Sequence, residues 1–502
     1  MNLRETDPVI KLNSRAEGSF FLVVLVALCF CLCYHFLQPG LKSWDEAVYA
    51  NNAIEMSKNG HYWVMYNDGQ PDFFNTKPPL VIWLQSLFIS IFGVNEFAVR
   101  LPSFISLFLV VIFLFRFLKR RTNSIALPYM AEGILLSSYG FTGFHGFATG
   151  DLDATLCLWT TLYSLIIFDK IILDDGMPPP KWMYISGLFF FLAFLTKSAA
   201  ALLPLPGLLV SLFLFKRQSI VFRNKNFYAT LFILISLIAG YYLMMEYKQP
   251  GYFSHAWQSE YKRIYSNIMP WHSHSFFYYF KNLGFRFFPW VWLLIPSIFL
   301  ALRSKSGTIK RLTLFCSVFV ACYFLIISIP SVKLEWYDIP AYPFLAIIAS
   351  VAFLELLNRV KLFFKNKKKE ICLSGLMLFS LLTAFVLKAT LNKIKNPPFK
   401  EPLEREGNAL RSLINDKTIR NLKILMYAEH PEHYNQVNFY KEKYFENKQV
   451  KPVILRDVKL IRAGDTVLLC QIEKLQGIKK IQADTIQKTG DCLLLYIKSI
   501  YQ

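Results

Sequence analysis

The stretch Phe20-Phe21-Leu22-Val23-Val24-Leu25-Val26-Ala27-Leu28-Cys29-Phe30-Cys31-Leu32-Cys33-Tyr34-His35-Phe36-Leu37 carries no Asp, Glu, Lys or Arg. As an α-helix rising 1.5 Å per residue it is roughly 27 Å long, close to the thickness of a bilayer's hydrocarbon layer. Arg4, Lys11 and Arg15 precede it and no small-residue cleavage site follows, so it reads as a retained signal-anchor. Ser43-Trp44-Asp45-Glu46-Ala47-Val48-Tyr49 begins just beyond it, which places acidic chemistry at the mouth of a membrane span.

The same apolar pattern recurs through the first four fifths of the chain. With 502 residues, 54% of them hydrophobic and 18% charged, the composition is too apolar for a soluble globular protein of this size. Spans are expected near 19–37, 99–117, 124–141, 153–171, 182–197, 201–215, 228–246, 286–302, 312–329, 339–357 and 371–388. The fold class is an all-α polytopic bundle of about 11–13 helices over residues 1–390, with a small α/β domain outside the membrane over 391–502. Pro78–Phe92 is apolar but short, and reads as a juxtamembrane or re-entrant helix.

A formal net charge of +21 can signal nucleic acid, but here the basic residues lie in short clusters between apolar runs. They behave as topology signals: Arg116 to Arg121, Lys216 to Lys225, Arg303 to Arg311 and Arg359 to Lys369 fall on one side, with the N terminus. Two long loops, 38–77 and 247–285, and the C-terminal domain then lie on the other side. In that domain Leu422–Tyr427, Thr466–Cys470 and Cys492–Ile497 read as strands, with a helix around His433–Lys443. Cys470 and Cys492 are placed to pair if the domain is external, whereas the other cysteines sit mostly in apolar spans without metal-ligand spacing.

Five clusters at the outer face carry candidate chemistry. Asp45 and Glu46 follow Ser43, which makes a capping box the plain alternative to a catalytic carboxylate. Lys77 opens the Pro78-Pro79 helix, where snorkelling at the interface is the plain alternative. Asp151 and Asp153 flank the start of a span, and either is suited to cap it. Lys197 interrupts two apolar runs, so its ammonium needs an anionic partner, for which a phosphate is the obvious candidate. Trp336-Tyr337-Asp338 opens a span where aromatic belt residues are common.

Taken in order, Trp44-Asp45-Glu46, Lys77-Pro78-Pro79-Leu80, the run Gly93 to Ser103, Asp153, Leu195-Thr196-Lys197 and Trp336-Tyr337 with Pro340 resemble membrane glycosyltransferases. The similar family is that of lipid A aminoarabinose transferases and protein O-mannosyltransferases, and the resemblance covers roughly residues 19–357. It implies a GT-C fold and an inverting transfer of sugar from a polyprenyl phosphate donor to an envelope lipid, glycan or protein. By position it makes Asp45 catalytic with Glu46 beside it. It sets Lys77 and Asp153 in the same cavity, Lys197 at the donor phosphate, Tyr337 at the donor or its phosphate, and Glu260 and Arg263 in a loop resembling a stretch rich in Glu, His and Arg, while Asp151 beside Asp153 is a further candidate for binding substrate. Thr76 stands where aminoarabinose transferases carry Glu, Val48 where Arg is common, and Tyr261 near a usual His. The resemblance therefore does not carry aminoarabinose or lipid A over to this chain. It requires no metal, although paired carboxylates suit a divalent ion. A lipid or solute transporter with an outward polar cavity is the alternative from another class. The expected location is the cytoplasmic membrane, with site and C-terminal domain on its outer face.

Overall fold

A computed structural model describes residues 15–122, 124–174, 176–262, 272–363, 368–396, 404–416, 419, 421–426, 434–470 and 481–500. Among these, seven helices are long and apolar enough to cross a membrane: Glu96–Thr122, Leu152–Ile172, Pro180–Leu202, Lys225–Lys248, Gly307–Ser328, Glu335–Val360 and Leu373–Lys395. Each matches an expected span. The stretch expected as a signal-anchor forms the helix Arg15–Phe36, whose apolar part Phe21–Phe36 is shorter than those seven.

The other three expected spans depart from straight crossings. Residues 124–141 form a helix only over Ala126–Ser137, followed by the single turn Tyr139–Thr142. Residues 201–215 form the short helix Leu205–Leu214. Around 286–302, Tyr278–Arg286 and Trp290–Arg303 meet at 107°, with Pro289 at the corner, where a missing N–H ends the helical ladder. Leu80–Phe92 is too short to cross, as its length suggests.

The C-terminal domain holds a five-stranded sheet in the order β4-β3-β5-β7-β6. Here β3 is Leu422–Leu425, β4 Val453–Leu455, β5 Thr466–Leu469, β6 Ile481–Thr489 and β7 Cys492–Ile500. The pairings β3–β4 and β3–β5 are parallel, while β5–β7 and β6–β7 are antiparallel. The helix Asn435–Lys448 lies between β3 and β4 in the chain, and a disulfide joins Cys470, after β5, to Cys492 in β7. The last membrane helix runs on to Lys395, so the passage to this domain falls a few residues beyond 390. The Pro397-Pro398 break lies outside the described residues.

This domain shares its apolar core with the first external segment. Leu41, Val48, Ala53, Val94 and Val99 pack in one buried cluster with Leu410, Tyr440, Leu468 and Leu494. Glu96 is the polar bolt beside it, accepting from Arg411 at 2.7 Å and from the Tyr440 hydroxyl at 3.1 Å, and pairing with Lys443. Val94 N–H donates to Glu446 at 2.7 Å, and Leu41 N–H to the Tyr440 hydroxyl at 2.9 Å. Sequence composition marks a separate domain; the packing makes it a lid fused to the Asp45–Asn59 helix.

Candidate active site

The Asp45–Asn59 helix begins without a side-chain cap: its N-cap is Trp44, and the Ser43 hydroxyl is buried with no hydrogen-bond partner among the described residues. The capping box expected from Ser43 and Glu46 therefore does not form. Glu46 turns inward instead, where it is 0% exposed. Its two oxygens accept from Arg100 Nε at 2.6 Å and Nη2 at 2.9 Å, from Gly150 N–H at 2.8 Å and from Lys42 N–H at 2.8 Å. Arg100 also donates to the carbonyls of Phe36, Pro39 and Gly40 at 2.6–3.0 Å. A buried charge pair is tolerated when its remaining donors and acceptors are filled, and here they are. The pair ties the end of the first helix, the start of the next and the Gly150 turn to one point. Glu46 thus mounts the site and takes no place in the cavity.

Asp45, one residue earlier, is half-buried, and no hydrogen bond or ion pair engages its carboxylate among the described residues. Its charge still reaches Tyr49, His145 and Asp153. A carboxylate on a rigid helix start with no partner of its own has both oxygens available to a hydroxyl.

A cavity of about 290 Å³ lies between the external segments and the outer helix ends. Lys77, Asp153, Lys197, Glu260, Tyr323 and Tyr337 line its polar part, and Leu156, Leu203, Ile326, Ile327 and Ile329 its apolar part. Lys197 reaches the cavity because its helix breaks there: Pro180–Lys197 gives way to the 3-10 turn Ser198–Leu202, with Ser198 at φ 48°. The Ser198 hydroxyl bonds Tyr242 at 2.9 Å and fixes the break. Lys197 Nζ donates to both oxygens of Asp153 at 2.7 Å and lies 5.0 Å from the centre of the Tyr337 ring. Its anionic partner is thus Asp153, where sequence alone suggested a phosphate.

Lys77 faces Glu260 at 3.6 Å and the Tyr49 ring at 5.9 Å. Its segment is pinned by the Tyr252 hydroxyl, which donates to the Thr76 carbonyl at 2.6 Å, and by the Thr76–Ser259 hydroxyl contact, also 2.6 Å. Each lysine in the cavity therefore meets one carboxylate, and the two pairs balance. Arg263 lies outside the described residues.

Asp151 stands apart from the cavity. It occupies the N-cap position of its helix, yet its side chain does not cap; Oδ2 lies 3.0 Å from His145 Nδ1 and accepts from the Thr149 hydroxyl at 2.8 Å. Burial pushes the Asp151 carboxyl up, but the hydrogen bond and charge of His145 outweigh it and hold the group below its ordinary range. Burial likewise pulls His145 down, while the Asp151 bond and the Asp151 and Asp45 charges raise it above 6.5 on balance. The His145 ring stacks on Trp336 at 3.8 Å and its backbone is left-handed, φ 62°. It thereby links the Asp151 turn to the segment bearing Tyr337.

Of the nine residues singled out from sequence, Lys77, Asp153, Lys197, Glu260 and Tyr337 line one cavity, and Asp45 neighbours it through its field. Sequence reading missed three supports. Arg100 sits within a quoted motif without a role, His145 between Gly143 and Gly146 drew no attention, and Arg286 was placed at a span's edge. Arg286 is buried and bonds Glu335 at 3.2 Å and the Gly140 carbonyl at 3.2 Å, bracing the Glu335–Ala341 turn. Among the described residues no group of three or more His, Cys, Asp or Glu is arranged to hold a metal ion.

The sequence and the fold both resemble those of known proteins. The sequence pattern of the family described as dolichyl-phosphate-mannose-protein mannosyltransferase matches residues 76–242. An uncharacterised Aquifex aeolicus protein is 25% identical over 66% of this chain and 63% of its own length. The Proteus mirabilis undecaprenyl phosphate-alpha-4-amino-4-deoxy-L-arabinose arabinosyl transferase 2 is 27% identical over 66% of this chain and 58% of its own. The match thus spans under two thirds of these relatives. Among solved structures, ArnT from Cupriavidus metallidurans bound to undecaprenyl phosphate superposes with a TM-score of 0.68 at 16% identity, covering 95% of this chain and 98% of that one. The chain therefore carries the fold of ArnT along nearly its whole length, and its residues 76–242 match the mannosyltransferase pattern.

Proposed function

We propose that the chain transfers a sugar from a polyprenyl phosphate to an acceptor at the outer face of the cytoplasmic membrane, inverting the anomeric centre. The observation that carries this reading is the two-faced cavity. Lysines paired with carboxylates form one end and isoleucines the other, which suits a phosphate carried on an isoprenoid chain. The similar proteins from Proteus mirabilis and Photorhabdus laumondii are named as arabinosyl transferases that use undecaprenyl phosphate. The relatives that carry a functional name are transferases, which does not favour the transporter reading.

In this mechanism Asp45 accepts the proton of the acceptor hydroxyl, whose oxygen attacks the anomeric carbon. The bond from that carbon to the phosphate oxygen breaks, and the polyprenyl phosphate leaves with the electron pair. Negative charge then gathers on the phosphate, beside two ammonium groups that Asp153 and Glu260 have held in place. Lys77 has the looser carboxylate contact and is the one freer to turn towards the phosphate. An oxidising outer compartment agrees with the Cys470–Cys492 disulfide, and the basic inner loops agree with the same orientation.

Mass spectrometry of envelope lipids, glycans and proteins from a deletion strain and its parent tests the activity: one hexose- or pentose-sized modification should vanish. Its restoration by the wild-type chain but not by Asp45→Asn supports the reading, and an unchanged envelope contradicts it. A reporter fused after Gln502 should be external and one within Lys361–Lys369 cytoplasmic; the reverse would invert the proposed orientation.

A further inference from the structure

A second cavity, about 590 Å³, lies between the hairpin of β1 (Tyr66–Asn67) and β2 (Gln70–Pro71) and the C-terminal helix Asn435–Lys448. The donor chemistry described above makes no use of it. Its walls are joined by side-chain amides: Asn67 donates to Asn435 Oδ1 at 3.1 Å, and Asn51 to the Asn435 carbonyl at 2.9 Å. The groove is therefore a built feature of the interface between two segments far apart in sequence.

Its lining combines three chemistries. Asn67 and Asn438 bring amides, Tyr434 and the exposed Phe74 bring ring faces, and Lys441 and Arg456 bring positive charge against the one carboxylate of Asp68. Neither cation ends on a carboxylate among the described residues; Arg456 rests over the Tyr434 ring at 5.5 Å. The neighbouring Lys451 is neutralised by Glu442, which also holds Lys58. Burial pulls the Lys441 ammonium below its ordinary value, and the Asp68 charge opposes this only in part. An incoming anion would relieve that burial.

Amides that fork to adjacent hydroxyls, rings that pack on C–H faces and two cations set against a single carboxylate together suit a sugar bearing an acid group. The groove also adjoins the proposed reaction site. Val48 lines it and lies one turn after Asp45 on the same helix, and Phe74 precedes Lys77 by three residues. We propose that this groove is the acceptor subsite, binding a saccharide that carries a phosphate or carboxylate and directing its hydroxyl towards Asp45, an assignment that rests on the transferase reading.

The test uses the full chain in detergent with glucose 6-phosphate as probe, followed by saturation-transfer NMR. Glucose 6-phosphate should bind at millimolar concentration, more tightly than glucose or inorganic phosphate. The double variant Lys441→Gln/Arg456→Gln should weaken it roughly ten-fold, as expected for lost charge-assisted hydrogen bonds, while undecaprenyl phosphate binding stays at the wild-type level. No binding at millimolar concentration, equal binding of inorganic phosphate, or an unchanged double variant overturns the proposal. Displacement by an acidic peptide but not by sugars would instead mark the exposed β4 edge as a peptide site and also overturn it. Lys197→Ala separates the two readings, because it should lose undecaprenyl phosphate yet keep glucose 6-phosphate. If the wild-type chain binds the sugar phosphate but no undecaprenyl phosphate, the donor reading fails and the saccharide groove stands.

Discussion

Lys197 gives its ammonium to both oxygens of Asp153 at the point where its own helix breaks. A lysine at such a depth needs an anion at all times, and Asp153 serves before any donor arrives. The donor phosphate would then share this lysine with the carboxylate.

That sharing predicts a split between stability and turnover. Lys197→Ala leaves Asp153 buried without its cation, which costs about 3–5 kcal/mol. Adding Asp153→Asn should recover most of that stability and none of the turnover. Thermal unfolding and single-turnover rates at equal folded amounts check both, and recovered turnover in the double variant would remove the phosphate role from Lys197.

Adjacent carboxylates should behave oppositely. Asp45→Asn removes a charge that no hydrogen bond or ion pair engages among the described residues, so stability should move by less than about 1 kcal/mol, while turnover falls by roughly 100-fold or more. Glu46→Gln breaks the buried pair with Arg100 and should cost about 3–5 kcal/mol. Unfolding curves for the two variants side by side decide the assignment, and reversed results would exchange their roles.

The His145–Asp151 contact should give stability its own pH dependence. His145 is raised above its ordinary 6.5, so its contribution is full below that pH and is lost as pH rises through the higher folded value. Asp151 is lowered below 3.8, so its contribution is full above that pH and is lost only as pH falls through the lower folded value. The melting-temperature gap between wild type and His145→Gln should be widest near pH 5–6 and narrow on the alkaline side. A gap that widens with alkali would refute the pairing.

Replacing Cys470 and Cys492 by Ser should destabilise the C-terminal domain by about 2–4 kcal/mol, since the cystine closes the segment between β5 and β7. Thiol labelling of the untreated and reduced chain checks that the bond is present in cells.

The seven long spans were legible because each holds a long apolar run, a signal local to the sequence. The broken elements were less so. The corner at Pro289 and the turn after Lys197 depend on neighbours such as Tyr242, which no hydropathy window contains. For Glu46 the sequence offers a catalytic place beside Asp45 or half of a capping box with Ser43, three residues before it, whereas its partner Arg100 comes 54 residues later. His145 escaped notice for the same reason: its stacking partner, Trp336, belongs to a different external segment. Lys77, Lys197 and Tyr337 were found because a charge or polar ring at the end of an apolar run stands out on its own. Asp153 and Glu260 were named with them, but which lysine meets which carboxylate had to wait for the fold.

The shared core of the first external helix and the C-terminal domain sets an order of assembly. Tyr49 and Val94 leave the ribosome early, but the surfaces they pack with, around Leu410, Tyr440 and Leu494, are made last. At roughly 5–20 residues per second, the Asp45 helix waits tens of seconds for its other half. A fragment ending after Lys395 would keep the seven long apolar helices found among the described residues and still lack the surface against which the Asp45–Asn59 helix packs, so that helix should gain its full support only once the C-terminal sheet is made.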